Sequence, residues 1–249
     1  FIARERGNII HAIFAEFVEK KHSVIAPDAL DILNAIARDK FAGLEAIGER
    51  RDIWLRRFET AARQFLEFEA MREPRVQNRH AEIKAIWTLA LREDFTLTGR
   101  ADRVDELTDG TLEIMDFKTG SPPAKGSMQA FEAPQMLLEA KMAEAGVMGG
   151  EGKPVLTAGE ASALTYIKIG LGPEAFVVKP FVPADSLSIS QAADEIARRM
   201  QRHVEHFLMS ETPMPARLFP LPGQRFAGAY DHLARVAEWT ADDGEEGGQ

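Results

Sequence analysis

Through the first seventy residues, apolar positions recur every three or four places, the spacing of helices that bury one face. Ile10, Phe14, Phe17 and Val18 share a face of a helix expected over about 4–20. Pro27 and Asp28 suit the start of a second helix, about 28–40. Ile53, Trp54, Phe58, Phe65 and Leu66 stripe a third, about 50–72, whose many arginines are expected on a solvated face. The period then drops to two. "AEIKAIWTLAL", "FTLTGRADRVDEL" and "TLEIMDFKTG" read as antiparallel strands. After the loop "GSPPAKG", the stretch "QAFEAPQMLLEAKMAEAG" predicts a helix with Gly146 just past its end. A Gly-containing loop leads to two more strands, "ASALTYIKI" and "AFVVKPFV", and then to a helix near 188–208. A Pro-rich connection and a short helix, "YDHLARVAEW", close the pattern.

Helices, a meander, a helix, two strands and closing helices predict a mixed α/β domain over 1–240. Within it, 1–75 form a helical segment, 76–182 a core and 183–240 closing helices, and 241–249 form a disordered acidic tail.

One place breaks the alternation. In "GRADRVDELTDGTLEIMDFKTG", Asp102 shares a strand face with Val104, while Asp116 and Lys118 share one with Leu112 and Ile114. The turn decides whether these faces coincide. A two-residue Asp109-Gly110 loop pairs Asp102 with Phe117 and separates the carboxylates. A three-residue loop, Thr108-Asp109-Gly110 with Gly110 left-handed, pairs Val104 with Ile114 and Asp102 with Asp116. Only this register keeps the apolar residues together, and it sets the aspartate Cβ atoms about 5 Å apart. Such carboxylates repel unless a cation separates them, and hard oxygen donors suit Mg²⁺ or Mn²⁺. A divalent ion with a nearby ammonium is the equipment of phosphodiester hydrolysis. The plainer alternative is a surface ion pair between Asp116 and Lys118, with Asp102 paired to an arginine.

Composition narrows the class. An apolar fraction of 45% and a charged fraction of 28% are those of an ordinary globular protein. No apolar run nears the roughly 20 residues of a membrane span and no signal-peptide pattern opens the chain, which makes the cytoplasm the default. The absence of cysteine excludes disulfides, cysteine-ligated zinc and iron–sulfur clusters. A net charge of −9 argues against a free-standing nucleic-acid binder driven by charge alone. The chain starts without Met, already in helical pattern, as expected of a piece of a longer protein.

"GRADRVD" with "LEIMDFKTG" resembles the nuclease signature of the RecB-like branch of the PD-(D/E)XK superfamily, and more closely the C-terminal nuclease domain of alphaproteobacterial AddB subunits. "ERGNIIHAIFAEF" is similar to that family's opening helix, where a histidine ligates metal, which implies His11. "HAEIKAIW" sits where the family carries a glutamate, implying Glu82, and "APQMLLEA" where a glutamine contacts DNA or supports the site, implying Gln135. The family's Q-x-x-x-Y pattern ends here in Glu139, which leaves the tyrosine's role vacant or filled elsewhere. The resemblance implies a restriction-endonuclease-like core with Asp102, Asp116, Lys118 and Glu82 catalytic. It implies metal held by His11, Asp102, Asp116 and the Phe117 carbonyl. Arg100 and Arg103, flanking Asp102, are the candidates for phosphate contact beside Gln135. The implied cofactor is Mg²⁺ or Mn²⁺ and the implied partners are DNA and an AddA-like helicase subunit. A stand-alone phage or CRISPR-associated exonuclease and a catalytically silent scaffold are the rival readings.

Overall fold

The computed structural model describes residues 2–43, 51–91, 93–149, 156–170, 174–184 and 187–213. Helices α1 (Ile2–Glu19), α2 (Ala29–Ala42) and α3 (Arg51–Arg72) precede strands β1 (Val76–Leu89), β2 (Phe95–Leu107) and β3 (Leu112–Lys118). Then come α4 (Lys125–Gln129), α5 (Gln135–Glu144), β4 (Ala161–Ile169), β5 (Phe176–Pro180) and α6 (Ile189–Leu208). The chain divides into two units between Arg202 and His203, within α6, and the site described below lies in the first. Among the described residues no helix is long and apolar enough to cross a membrane. The expected closing helix and acidic tail lie outside the described residues.

The five strands form one sheet in the order β1-β2-β3-β4-β5. Every neighbouring pair is antiparallel except β3 and β4, which run parallel and are joined through α4 and α5. This is the mixed, helix-flanked α/β sheet that the pattern predicts and that the resemblance to a restriction-endonuclease-like core implies. Alternation sends the residues of each strand to opposite faces. Met115, Phe117, Ile167 and Ile169 face α1, α2 and α3, where Phe14 packs on Phe65 at 4.4 Å and stacks on Phe117 at 5.7 Å between ring centroids. Leu112, Ile114, Leu164 and Tyr166 face the other way, against Met136, Leu137 and Ala140 of α5 and Ala192 of α6.

Three expectations need correction. β1 begins at Val76 rather than Ala81. The helix expected from Gln129 starts only at Gln135, preceded by the short α4 that opens in the expected loop, because Phe131 is left-handed (φ 62°) and Pro134 disfavours helical geometry in the residue before it. The arginines of α3 are not all solvated. Its buried stripe, Phe58, Ala61, Ala62 and Phe65, continues into Glu69 and Arg72 at the same helical spacing. There the stripe meets the sheet through charge. Arg103 donates to Asp105 (2.6 Å) and Glu69 (3.0 Å), and Arg72 donates to Asp105 (2.6 Å) and Glu113 (2.8 Å).

Candidate metal centre and active site

The β2–β3 turn takes the register that aligns the apolar residues. Val104 lies opposite Ile114, and the Gly110 amide donates to the Leu107 carbonyl across a three-residue loop. Gly110 has φ +84°, a conformation that a side chain would strain. The ladder stops at Arg103 and Met115, one pair short of the aspartates. In a continued ladder the Phe117 amide would face the Ala101 carbonyl, the next hydrogen-bonded position. It donates instead to Asp102 Oδ2 at 2.8 Å. The Asp102 carboxylate thus stands where two strands diverge, and the aspartates do not sit as a facing pair.

A second irregularity lies directly across, in β1. Ala81 pairs with Arg103 and Ile83 with Ala101, with Glu82 between them in the left-handed region (φ +51°). That residue turns the strand over. Ala81 packs with Ala15 and Val18 of α1, whereas Ile83 joins the cluster on the α5 face. A non-glycine residue held there is strained, and such strain gathers at functional sites. Its effect is to bring Glu82 beside Asp102 and His11. One ligand atom from each of these three residues lies within 4.8 Å of the other two. His11 Nδ1 is 3.4 Å from Asp102 Oδ2, and Arg100 Nε is 2.9 Å from Glu82 Oε2. Burial works against a charged His11, but the Asp102 hydrogen bond and the charges of Asp102, Asp116 and Glu82 outweigh it and raise its pKa. Two carboxylates and an imidazole, half-buried and mutually close, fit a hard divalent cation.

Asp116 faces the α5 side. Its Oδ1 accepts from Lys118 Nζ (2.8 Å) and Gln135 Nε2 (3.0 Å), and its Oδ2 is 2.6 Å from Lys118 Nζ without hydrogen-bond alignment. Burial pushes its carboxyl up despite the lysine. The Asp116–Lys118 pair is therefore no surface ion pair, since Asp116 is 1% exposed and the Lys118 tip alone reaches solvent. Gln135 Nε2 also donates to Glu139 Oε1 at 3.1 Å, and Gln135 Oε1 makes a long 3.5 Å contact with Lys118 Nζ.

Residues 2–219 match the PD-(D/E)XK nuclease superfamily. The chain belongs to that superfamily. Membership points to a nuclease acting on phosphodiesters, and superfamily nucleases generally use divalent metals. Two similar proteins, from Rickettsia bellii (strain RML369-C) and Rickettsia felis (strain ATCC VR-1525 / URRWXCal2), are each named only "Uncharacterized protein". They are 23% identical over 137 residues and 25% identical over 141 residues. Each match covers 55% of this chain but 16% of the relative, so the chain spans only a small part of their length. A solved structure, "Crystal structure of SSO0001", is 13% identical over 67% of this chain and 70% of that one. Its TM-score of 0.32 is too low to support any inference.

His11 and Asp102, two of the expected metal donors, come together with Glu82, which offers a third candidate ligand atom. Asp116, expected in that set, is held by Lys118 and Gln135. Phe117 enters the site through its amide. Arg100 has an exposed side chain beside Glu82, within reach of solvent-borne phosphate. Arg103 does not: it is 1% exposed and closed in by Glu69 and Asp105, with no face toward solvent.

The sequence assigns no role to Glu139 or Tyr166. Glu139 is buried on the apolar face of α5, where desolvation and the charges of Asp116 and Asp102 push its carboxyl up to about 8. Tyr166 lies beside Asp116 on β4, its phenol raised to about 12 by burial and by the charges of Asp116 and Glu139. The signal for Glu139 was present: a carboxylate inside the stripe Met136, Ala140, Ala143, four residues after Gln135.

Proposed function

We propose that the chain is a metal-dependent deoxyribonuclease domain of the AddB type. It would act within a helicase–nuclease complex that processes double-strand breaks for recombinational repair in the cytoplasm. The observation that carries this reading is the convergence of His11, Glu82 and Asp102 beside the Asp116-Phe117-Lys118 strand. Those three residues would hold Mg²⁺ or Mn²⁺, with Asp116 and the Phe117 carbonyl as adjoining donors. When bound, the ion supplies Lewis-acid stabilisation of charge on the phosphoryl oxygens.

The chain's own residues supply the rest. The Lys118 ammonium, its tip reaching solvent at the edge of the site, stabilises negative charge that grows as the phosphodiester approaches its transition state. Asp116 and Gln135 hold that ammonium in place. Arg100, exposed on β2, meets a neighbouring phosphate and steers the strand across the site. The acidic balance fits a tethered domain, since an AddA-like partner feeding single-stranded DNA provides the local concentration that charge would otherwise supply.

The test is cleavage of single-stranded DNA by the reconstituted complex with the partner's nuclease disabled. Mg²⁺-dependent degradation that stops on chelation and is lost in Asp102→Asn supports the reading. Parental cleavage by Asp102→Asn, or cleavage indifferent to chelation, contradicts it.

A further inference from the structure

The metal triad leaves one buried polar group unexplained. Glu139 occupies the second turn of α5 and is 5% exposed, one of that helix's buried residues together with Met136, Ala140, Met142 and Ala143. An aliphatic side chain would suit that stripe better, because a buried carboxyl must be desolvated. Its Oε2 has no hydrogen-bond partner among the described residues. A carboxyl kept in so poorly satisfied a place is a local conflict of the kind that marks functional positions. Its one partnered atom shows what it does: Oε1 accepts from Gln135 Nε2 at 3.1 Å.

Gln135 needs such an anchor. It is exposed, at the first position of its helix, and a terminal amide there rotates between two orientations of nearly the same shape. The amide nitrogen carries two hydrogens. Asp116 Oδ1 takes one at 3.0 Å and Glu139 Oε1 takes the other. With both committed, the amide oxygen must point toward Lys118 Nζ. The reverse orientation would set a carbonyl against Asp116 Oδ1 and turn the NH₂ group toward the lysine ammonium. A single carboxylate would leave the amide free to swing about one bond, and the lysine would lose its second contact.

We infer that Glu139 is a positioning residue of the active site, acting through Gln135 to fix the relative placement of Asp116 and Lys118. It touches neither the metal triad nor the substrate's path. The inference rests on the nuclease reading of this site, and it names the member of the machinery that lies in the core rather than at the surface. Leucine at 139 would pack well and preserve the fold while removing the acceptor. Glutamine would restore a carbonyl acceptor at the same reach.

The experiment compares the parent, Glu139→Leu and Glu139→Gln in the full complex, with three readouts. Glu139→Leu should unfold no earlier than the parent yet lose on the order of 10-fold to 10²-fold in turnover, the scale expected when a reacting group shifts slightly. Its KM should move by less than about two-fold, because the lost interaction is not with substrate. Glu139→Gln should recover most of that loss. The Gln135 side-chain amide, followed by ¹⁵N–¹H correlation spectra and assigned through Gln135→Ala, should give two signals displaced from free-amide positions and slow to exchange with solvent in the parent. It should do so in Glu139→Gln too, and should move to free-amide positions with fast solvent exchange in Glu139→Leu. Parental turnover in Glu139→Leu, equal failure of both variants with a common fall in stability, or an unchanged amide signal would each overturn the assignment. If the parent itself does not cleave, the nuclease reading has failed, and the amide signal still decides whether Glu139 orients Gln135.

Discussion

Replacing Lys118 by alanine separates binding from chemistry. The ammonium lies 2.6 and 2.8 Å from the two oxygens of a carboxyl group whose side chain is 2% exposed. A hydrogen bond to a charged group of this kind contributes about 1.5–3 kcal/mol. That contribution is partly recovered in the variant, because burial already favours the neutral form of Asp116. The stability loss should therefore stay near ~1–2 kcal/mol, below the few kcal/mol of stranding a permanent buried charge. Turnover should fall much further, by roughly 10²-fold to 10³-fold, as when one donor to a developing oxyanion is removed. Divalent-ion affinity should hold or tighten, since the ion no longer competes with an ammonium for Asp116. Single-turnover cleavage of single-stranded DNA, Mn²⁺ calorimetry and thermal unfolding on the same preparation measure all three. Cleavage at the parent rate would refute the catalytic role. Joint collapse of Mn²⁺ binding and turnover would show instead that Lys118 only supports the fold of the site.

Glu82→Gly relieves a left-handed side-chain conformation (φ +51°) and should unfold no earlier than the parent. Thermal scans should then show the Mn²⁺-dependent rise in Tm shrinking sharply, because one of three clustered donors is gone. Arg103→Met removes one of the two buried cations that Glu69 and Asp105 share, the other being Arg72, and should lose about 3–5 kcal/mol in denaturant unfolding. The remaining folded fraction should bind DNA as the parent does. Glu139 makes stability fall with rising pH. Its folded carboxyl, raised to about 8 from 4.5, stays protonated while the unfolded chain ionises. Between those values the parent should lose up to about 5 kcal/mol relative to Glu139→Gln, at about 1.4 kcal/mol per unit. The two should converge below pH 4.5, and parallel pH profiles would contradict this.

Periodicity located the sheet well, because successive strand residues point to opposite faces and a face that is buried must be apolar. β2 and β4 fall where the pattern places them, and the apolar pairing of Val104 with Ile114 correctly selects the turn in which Gly110 is left-handed. The same alternation misled at the site. It carries Asp102 and Asp116 to a common face, but the strands diverge a residue too soon, and Asp102 takes the hydrogen bond that the ladder gives up. Nothing in the one-dimensional pattern announces that Glu82 is left-handed, so its arrival beside His11 and Asp102 is a tertiary fact. Arg103 shows the opposite limit. Flanking a candidate ligand, it looks like a phosphate contact, yet it is neutralised by Glu69 from a helix 34 residues away in sequence. Charged residues continuing an apolar stripe, as Glu69 and Arg72 do after Phe65, are the trace such a network leaves in sequence.

Electron spin-echo spectroscopy of Mn²⁺ bound to the protein tests the central claim most directly, because it reports both the ion and its imidazole neighbour. One tightly held Mn²⁺ with ¹⁴N modulation is expected in the parent, with the modulation lost in His11→Ala and binding itself much weakened in Asp102→Asn. No bound Mn²⁺ in the parent, or the same nitrogen modulation in His11→Ala, would contradict a metal centre at His11, Glu82 and Asp102.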